Sequence, residues 1–546
     1  MSSNHSYAAM AVWCVSFLFL VPGLSAQENA PRHIGIPQDW SDHHIVYTLD
    51  GLIQHPELIS QEHRIARQIL QRYRAPSSNF SGGSDPQLIS SPRSTHHRDW
   101  NADFVRGHVF SDSYPSKFSF DSGGTPSCAN DYVVFGLNIA GTTSQANLIG
   151  FNNLYSGTLP DGLCGTGGPN VMFAYNITTT TNGKILLSPV ISEDGTKIAF
   201  VESSGGPTPS TVFHVLTWTR GQGTITSPAN PGSAMTSLTL AAADSTTSAP
   251  WVDYASDTAF LGVDGGDMYS IFPVFGAGTP AVVAGWPITV SGGQRLSPPV
   301  LDNRLGLLMV GSTSGKIFQV NIITPAVTQT LIVGAKPDSS IDAAPIVDVT
   351  NGTTFVVSGD DGTSAVLVEV DTATLTLLSK ARIGLGASTG TVLSIQQPAL
   401  DNNYYNGQAN GVIRVCGTGA SDTTPWQYSF GFTGKIMNTL PVFSQQLVNS
   451  TGATCTGWTE FFNPNIGVGG TDFFFFGLTQ DCTGPATSGC VVARTTDIAP
   501  IVTVDIPGGP SGIVIDNYST DAQASSLYLS AIGATKAYKF TQNGLN

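Results

Sequence analysis

Three stretches of this chain hold residue types that could do chemistry. GASTG, residues 386–390, matches the G-x-S-x-G pattern in which a serine, here Ser388, is presented as a nucleophile. That chemistry needs a strand turning sharply into a helix beside an oxyanion hole. Here TVLSIQQPAL follows and reads as strand or loop, and His214 is the one histidine beyond position 108. No catalytic role is therefore expected for Ser388. SGDDGTS, with Asp360 and Asp361, offers the hard oxygens that calcium takes, but it lacks the spaced acids of a loop site. A tight turn is the expectation there. Eight of the ten histidines fall between His33 and His108, including the pairs His43–His44 and His96–His97. Clustered imidazoles suit transition metals, yet no two share the i, i+4 helical spacing of a ligand pair beside an acid. No metal site is expected.

The cysteines carry a different chemistry. Cys14 sits in an amino-terminal apolar run, which leaves Cys128, Cys164, Cys416, Cys455, Cys482 and Cys490. An even number in an exported chain reads as disulfides, and six cysteines allow fifteen pairings. Spacing favours Cys482–Cys490 and Cys128–Cys164, which leaves Cys416–Cys455. None has the C-x-x-C spacing of a zinc site or redox pair.

Export is itself an expectation from the first 26 residues. Ala8 to Val21 is mostly apolar, within signal-peptide length and short for a membrane span, and small residues follow at Gly23, Ser25 and Ala26. Cleavage is expected after Ala26. No Lys or Arg precedes the run, so an uncleaved anchor is the alternative. No later segment is long and apolar enough to span a bilayer. The formal net charge of −15 excludes the basic surface that a nucleic-acid binder needs.

The elements that must position any site are short strands. Only 11% of the 546 residues are charged, 60 are glycine, and 41% are hydrophobic, a composition for many strands joined by turns. Strand starts are marked by Pro126, Pro189, Pro250, Pro299, Pro345, Pro398 and Pro441, with an eighth at Gly512. Four of them open the phrase Pro-x-φ-Asp, giving Asp253, Asp302, Asp348 and Asp401; Asp516 ends the eighth version. These aspartates are expected to bond backbone amides at the first turn.

An apolar second strand follows each start: YVVFG, KIAFVE, TAFLG, LLMVG, TFVVSG, VIRVCG, DFFFFG and SLYLSA. A third, more alternating strand follows that, and further β-prone stretches precede most of the next starts. Four strands per repeat define a β-propeller, all-β with eight blades, or seven if an end repeat is incomplete. The last repeat lacks an outer strand. SKFSFD lies just upstream of blade one, so residues 117–120 are expected to pair with 537–540 and close the ring. Residues 117–546 would then be the propeller. Phe473 to Phe476, in TDFFFFGLTQDC, are expected in the core.

Residues 27–116 read as an amino-terminal arm. A helix is expected at about 56–74, with Leu58, Ile65, Ile69 and Tyr73 on its apolar face. Arg64, Arg67, Arg72 and Arg74 are expected in solvent. Residues 75–94 read as linker from their Pro, Gly and Ser content.

IFQVNIITPAVTQTLIVG and VLVEVDTATLTLLSKARIG resemble the strand-turn-strand ending of PQQ-like, quinoprotein-type propeller repeats. SPVISEDGTKIAFVES is similar to the WD40-like repeats of exported bacterial propellers. The resemblance covers roughly residues 117–546 and implies the fold. PQQ-like repeats that dock tightly carry Thr-Gly-Lys and a regular tryptophan; here the turns read Thr-Pro-Ala and Thr-Leu-Thr, so PQQ is not expected, and calcium is not expected for want of spaced acids at Asp360 and Asp361. The expected role is a binding or scaffold module for a protein or carbohydrate ligand, acting through loops at one mouth of the channel. The alternative is a channel-centred lyase, hydrolase or quinoprotein-like oxidoreductase.

Overall fold

Each apolar segment read as a second strand forms one, from Tyr132–Gly136 and Lys197–Ser204 in the first two repeats to Ser526–Ser530 in the eighth. The computed structural model describes residues 35–73, 97–120, 126–157, 162–205, 209–241, 244–334, 340–386, 395–464, 469–482, 488–497, 502–516 and 526–541. The expected signal segment, the linker at 75–94 and Ser388 lie outside the described residues. Every second strand pairs antiparallel with the strand after it and with a short inner strand before it, giving eight separate sheets of four or five strands. The eight sheets stand around a ring as an eight-bladed β-propeller.

Strand periodicity is what glues the blades together. Along Thr471–Leu478, in blade 7, successive side chains point to opposite faces. Phe473 and Phe475 pack with Ile515, Leu527 and Phe540 of blade 8, whereas Phe474 and Phe476 pack with Ala399 and Cys416 of blade 6 and with Trp458, just ahead of their own blade's inner strand. A single strand thus feeds two interfaces, and all four rings are at most 5% exposed. Burying each such ring contributes about 1.5–3 kcal/mol.

The inner strands are two to five residues long and mostly follow a proline: Val190–Ile191, Trp251–Asp253, Val300–Asp302, Ile346–Asp348 and Ala399–Leu400. The repeated aspartates are buried and tie the next turn. Asp302 Oδ1 accepts the Leu305 amide at 3.0 Å, Asp348 Oδ1 the Thr350 and Asn351 amides, and Asp401 Oδ1 the Tyr404 and Val412 amides. Asp253 instead takes the Ser256 hydroxyl, and Asp516 meets the Lys117 ammonium at 2.5 Å.

Two boundaries and the ring closure differ from the sequence reading. Ser116–Ser119 does not pair with 537–540; it is the inner strand of blade 1, bonded to Tyr132–Gly136. Pro115 precedes it just as the other prolines precede their inner strands, so the first repeat begins there and not at Pro126. The ring is closed by His97–Asp103, which pairs antiparallel with Lys536–Thr541 as the outer strand of blade 8. Pro441 precedes Phe443–Gln446, an outer strand of blade 6, whereas the inner strand of blade 7 is Thr459–Asn463.

Cys128–Cys164, Cys416–Cys455 and Cys482–Cys490 are joined as disulfides. Three such bonds point to an oxidising, non-cytoplasmic environment. No described helix is long and apolar enough to cross a membrane.

Candidate functional site

The amino-terminal arm enters the ring and fills part of its axis. Ile36–Gln38 runs antiparallel to the inner strand of blade 1, with Ile36 opposite Ser119 and Gln38 opposite Lys117. The chain then turns through a short 3-10 helix, Trp40–His43, whose start is fixed by Asp39 accepting the Ser41 amide at 2.9 Å. Ile45–Val46 returns parallel to the inner strand of blade 5. Both segments ride on inner strands, so the turn between them sits inside the channel.

Three helices follow: α1 (Leu49–Gln54), α2 (Leu58–Gln61) and α3 (His63–Tyr73). The single helix expected at 56–74 is broken at Glu62, whose backbone is extended and whose Oε1 accepts the Arg64 amide at 2.9 Å. Leu58 and Ile65 are buried as expected and Ile69 half-buried, but the arginines are not in solvent. Arg64, Arg67 and Arg72 are all buried; Arg74 lies outside the described residues. Arg64 donates to the Val252 carbonyl at 2.6 Å and stacks 4.4 Å from the Trp251 ring centre in blade 3. Arg72 bonds Glu460 of blade 7 at 2.6 Å and lies over the Tyr405 ring of blade 6. Asn303 of blade 4 donates to Glu62, and Thr350 of blade 5 meets Thr48. Asn303, Thr350 and Tyr405 lie just beyond the finishing ends of the inner strands of blades 4, 5 and 6, while Trp251, Val252 and Glu460 lie within those of blades 3 and 7. The arm therefore stoppers the mouth toward which those strands run.

The opposite mouth stays open as a funnel of about 280 Å³. Its wall comes from residues just ahead of the inner strands of blades 1 to 6, such as Asp112, Leu186, Arg295, Asp342 and Gln397, and its floor from Trp40 and His44 of the arm. Sequence reasoning missed every one of these as a site residue. The available signal was position: each wall residue stands within a few places of a strand-opening proline.

Charge in the funnel is uneven. Arg295 Nη2 lies 3.7 Å from Asp342 Oδ1, which also accepts from the Ser340 hydroxyl. Asp112 reaches the open mouth, yet the surrounding walls strip water from it and, with Asp342 nearby, push its carboxyl up to about 6. Burial, with His43 adjoining, lowers His44 to about 3, so its ring is neutral near pH 7. His43 stacks on Tyr114, whose hydroxyl accepts from the Gln397 amide. The ring nitrogens Trp40 Nε1 and His44 Nδ1 have no hydrogen-bond partner among the described residues.

The other sequence candidates are spoken for. Asp360 accepts the Gly362 amide at 2.7 Å; Asp361 accepts the Thr363 amide and the Lys380 ammonium. Burial alone would raise Asp361, but these bonds outweigh it and hold the carboxyl at about 2. Both are turn residues. Of the clustered histidines, His43 and His44 lie in the arm's turn, and His55 meets Glu57 at 3.3 Å. Among the described residues no group of three or more His, Cys, Asp or Glu gathers as a metal cluster. Blade 2 does hold a row that the sequence hid. Ser237 Oγ is 2.9 Å from His214 Nδ1, and His214 Nε2 donates to Glu202 at 3.0 Å. Thr179 and Thr180 cap the same carboxylate with amides and hydroxyls, and the funnel does not reach it. The row is a structural tie across three strands.

No family model and no curated protein matches this chain. Solved structures similar to it are propellers. BamB from Moraxella catarrhalis is 12% identical, with 82% of this chain and 100% of that chain covered at a TM-score of 0.47. The Dos1 propeller is 9% identical, with 82% and 96% covered at 0.49. The C-terminal WD40 domain of Sif2 is 10% identical, with 82% and 98% covered at 0.48. At these identities no site residue carries across.

Proposed function

We propose that this protein is an exported binding module that takes its ligand in the funnel at the open mouth of the ring. The observation that carries this reading is the stopper: the arm's turn at Trp40–His44 converts a through-channel into a blind pocket. About 280 Å³ admits a small molecule, one sugar ring or a single protruding side chain, but not a folded partner. The wall mixes apolar surface with a few polar groups, as ligand pockets do. Export is supported by the three disulfides and by the signal-like residues 1–26. A ligand screen by melting temperature tests the reading, run on the parent and on Leu186→Trp, which places bulk at a half-buried wall position. Ligands that raise the parent's melting temperature and leave the variant's unchanged are the expected result. Equal shifts in both proteins would place binding elsewhere.

A second reading rests on Asp112, a carboxyl raised to about 6 beside another acid in the same pocket. Such a group can exchange a proton near neutral pH, as a general acid or base does. Turnover of a bound ligand that disappears in Asp112→Asn, while binding persists, would favour it.

A further inference from the structure

We propose that the funnel recognises a small organic ammonium ion, with its charged head at Asp112 and its apolar body against Phe110, Leu187 and the floor rings. This rests on the reading of the funnel as a binding site and goes on to name the chemistry of its ligand. Charge balance is the first argument. The charged groups of the wall are Asp112, Asp342 and Arg295, and the one cation among them stands beside Asp342. His44 is neutral, so Asp112 has no cationic partner among the described residues. A carboxylate at the mouth of a pocket that also holds a second acid is stabilised by a mobile cation more than by any neutral guest. An anion would find only a guanidinium already engaged.

The lining is the second argument. Trp40, Phe110 and Tyr114 present aromatic surface to the same space, and aromatic faces attract ammonium groups while accepting the hydrocarbon attached to them. The third is long-range: a chain with a formal net charge of −15 draws cations toward it and repels anions. Small amines and the lysine side chain of a peptide share this chemistry. The pocket's size favours the free amine, since a peptide would leave its backbone outside.

Calorimetric titration of the full chain with phenylethylammonium, phenylethanol and phenylacetate tests the proposal. The ammonium is expected to bind at least about tenfold tighter than the alcohol, a difference of about 1.4 kcal/mol, and phenylacetate not at all. Asp112→Asn, at a position open to the mouth, should keep its melting temperature and reduce the ammonium to the alcohol's affinity. Arg295→Ala should tighten the ammonium by freeing Asp342. Affinity should fall below about pH 6 as Asp112, faced by Asp342, Arg295, Tyr114 and neutral His44, takes up a proton. Equal affinity for ammonium and alcohol, no effect of Asp112→Asn, or no binding by any probe overturns the proposal. Leu186→Trp separates the two levels. If it abolishes binding of probes that the parent does not discriminate, the ammonium class falls and the funnel stands. If it leaves bound probes untouched, the funnel falls too. A lysine-containing peptide that outcompetes phenylethylammonium would assign the same head group to a peptide source.

Discussion

Asp99 and Lys539 are 440 positions apart in the chain and 2.7 Å apart in the fold, both fully buried at the seam of blade 8. Asp99 belongs to the closing strand His97–Asp103 and also accepts the Thr541 hydroxyl. Nearer the axis Lys117 of blade 1 meets Asp516 of blade 8 and the Tyr155 hydroxyl. The seam where chain ends meet is thus held by two buried ion pairs, one at each radius. The closing strand covers the edge that Lys536–Thr541 would otherwise expose.

Breaking the outer clasp should cost more than the pair itself contributes. Asp99→Ala leaves an ammonium in a site where burial already lowers its pKa. The expected loss is roughly 3–5 kcal/mol. Asp99→Leu combined with Lys539→Met removes both charges and should recover most of it. Thermal unfolding of the three proteins checks the order, and a double variant no better than Asp99→Ala would contradict it.

The stopper makes a separate prediction at the neighbouring blade 7. Arg72 joins the arm to Glu460, and the neighbouring Asp472 is pushed up to about 8 by burial and by Glu460. Arg72→Ala leaves these acids without their cation and should lower stability by roughly 3 kcal/mol. It should also loosen α3 from blades 6 and 7, so that protease cuts the arm faster while the ring stays protected. Cleavage at the parent rate would show that the arm is held mainly by its apolar face.

How far the sequence carries can be read from these same residues. The second strands were legible because both of their faces are buried, which writes a run such as Thr471–Leu478 in apolar letters. The closing strand was not. HRDWNAD has a polar composition, and its place is set by Lys536–Thr541 hundreds of residues away. The inner strands of blades 1 and 7, Ser116–Ser119 and Thr459–Asn463, mix polar with apolar residues and carry little pattern of their own, so Pro126 and Pro441 read as starts. The arm's arginines looked solvated because their partners, Val252, Trp251 and Glu460, come from blades 3 and 7. The funnel was invisible for the same reason: six separate blades each give it two or three residues.

Glu369 predicts how stability responds to rising pH. It is fully buried in the third strand of blade 5; Oε2 accepts the Met437 amide at 2.7 Å and Oε1 has no partner among the described residues. Burial, with the charge of Asp348, pushes the carboxyl up to about 7. The folded state therefore keeps a proton that the unfolded chain releases near 4.5, and stability falls as pH rises between those values. Glu369→Gln retains an acceptor for Met437 and has no charge to bury. It should match the parent at pH 4 and exceed it at pH 8 by on the order of 2 kcal/mol, measured by denaturant unfolding at both pH values. Equal stability at pH 8 would mean that the charged carboxylate is accommodated.

Glu202 predicts the opposite sign. Burial alone would raise its carboxyl, but bonds from His214, Thr179 and Thr180 prevail and hold it at about 2. The native state is thus the weaker proton binder, and its stabilisation is complete above about 4.5 and lost as pH falls toward 2. Gly183 allows the close approach on which this depends, since a Cβ there would lie 1.7 Å from Glu202 Oε1. Glu202→Gln should weaken the fold at pH 7 by about 1–3 kcal/mol and flatten the acid limb of the stability profile. Ser237→Ala, at the exposed end of the row, should leave that limb in place, because the Thr179, Thr180 and His214 bonds survive it. Unfolding midpoints collected from pH 7 to pH 2 on the three proteins distinguish these outcomes, and an acid limb unchanged in Glu202→Gln would assign it to other carboxylates.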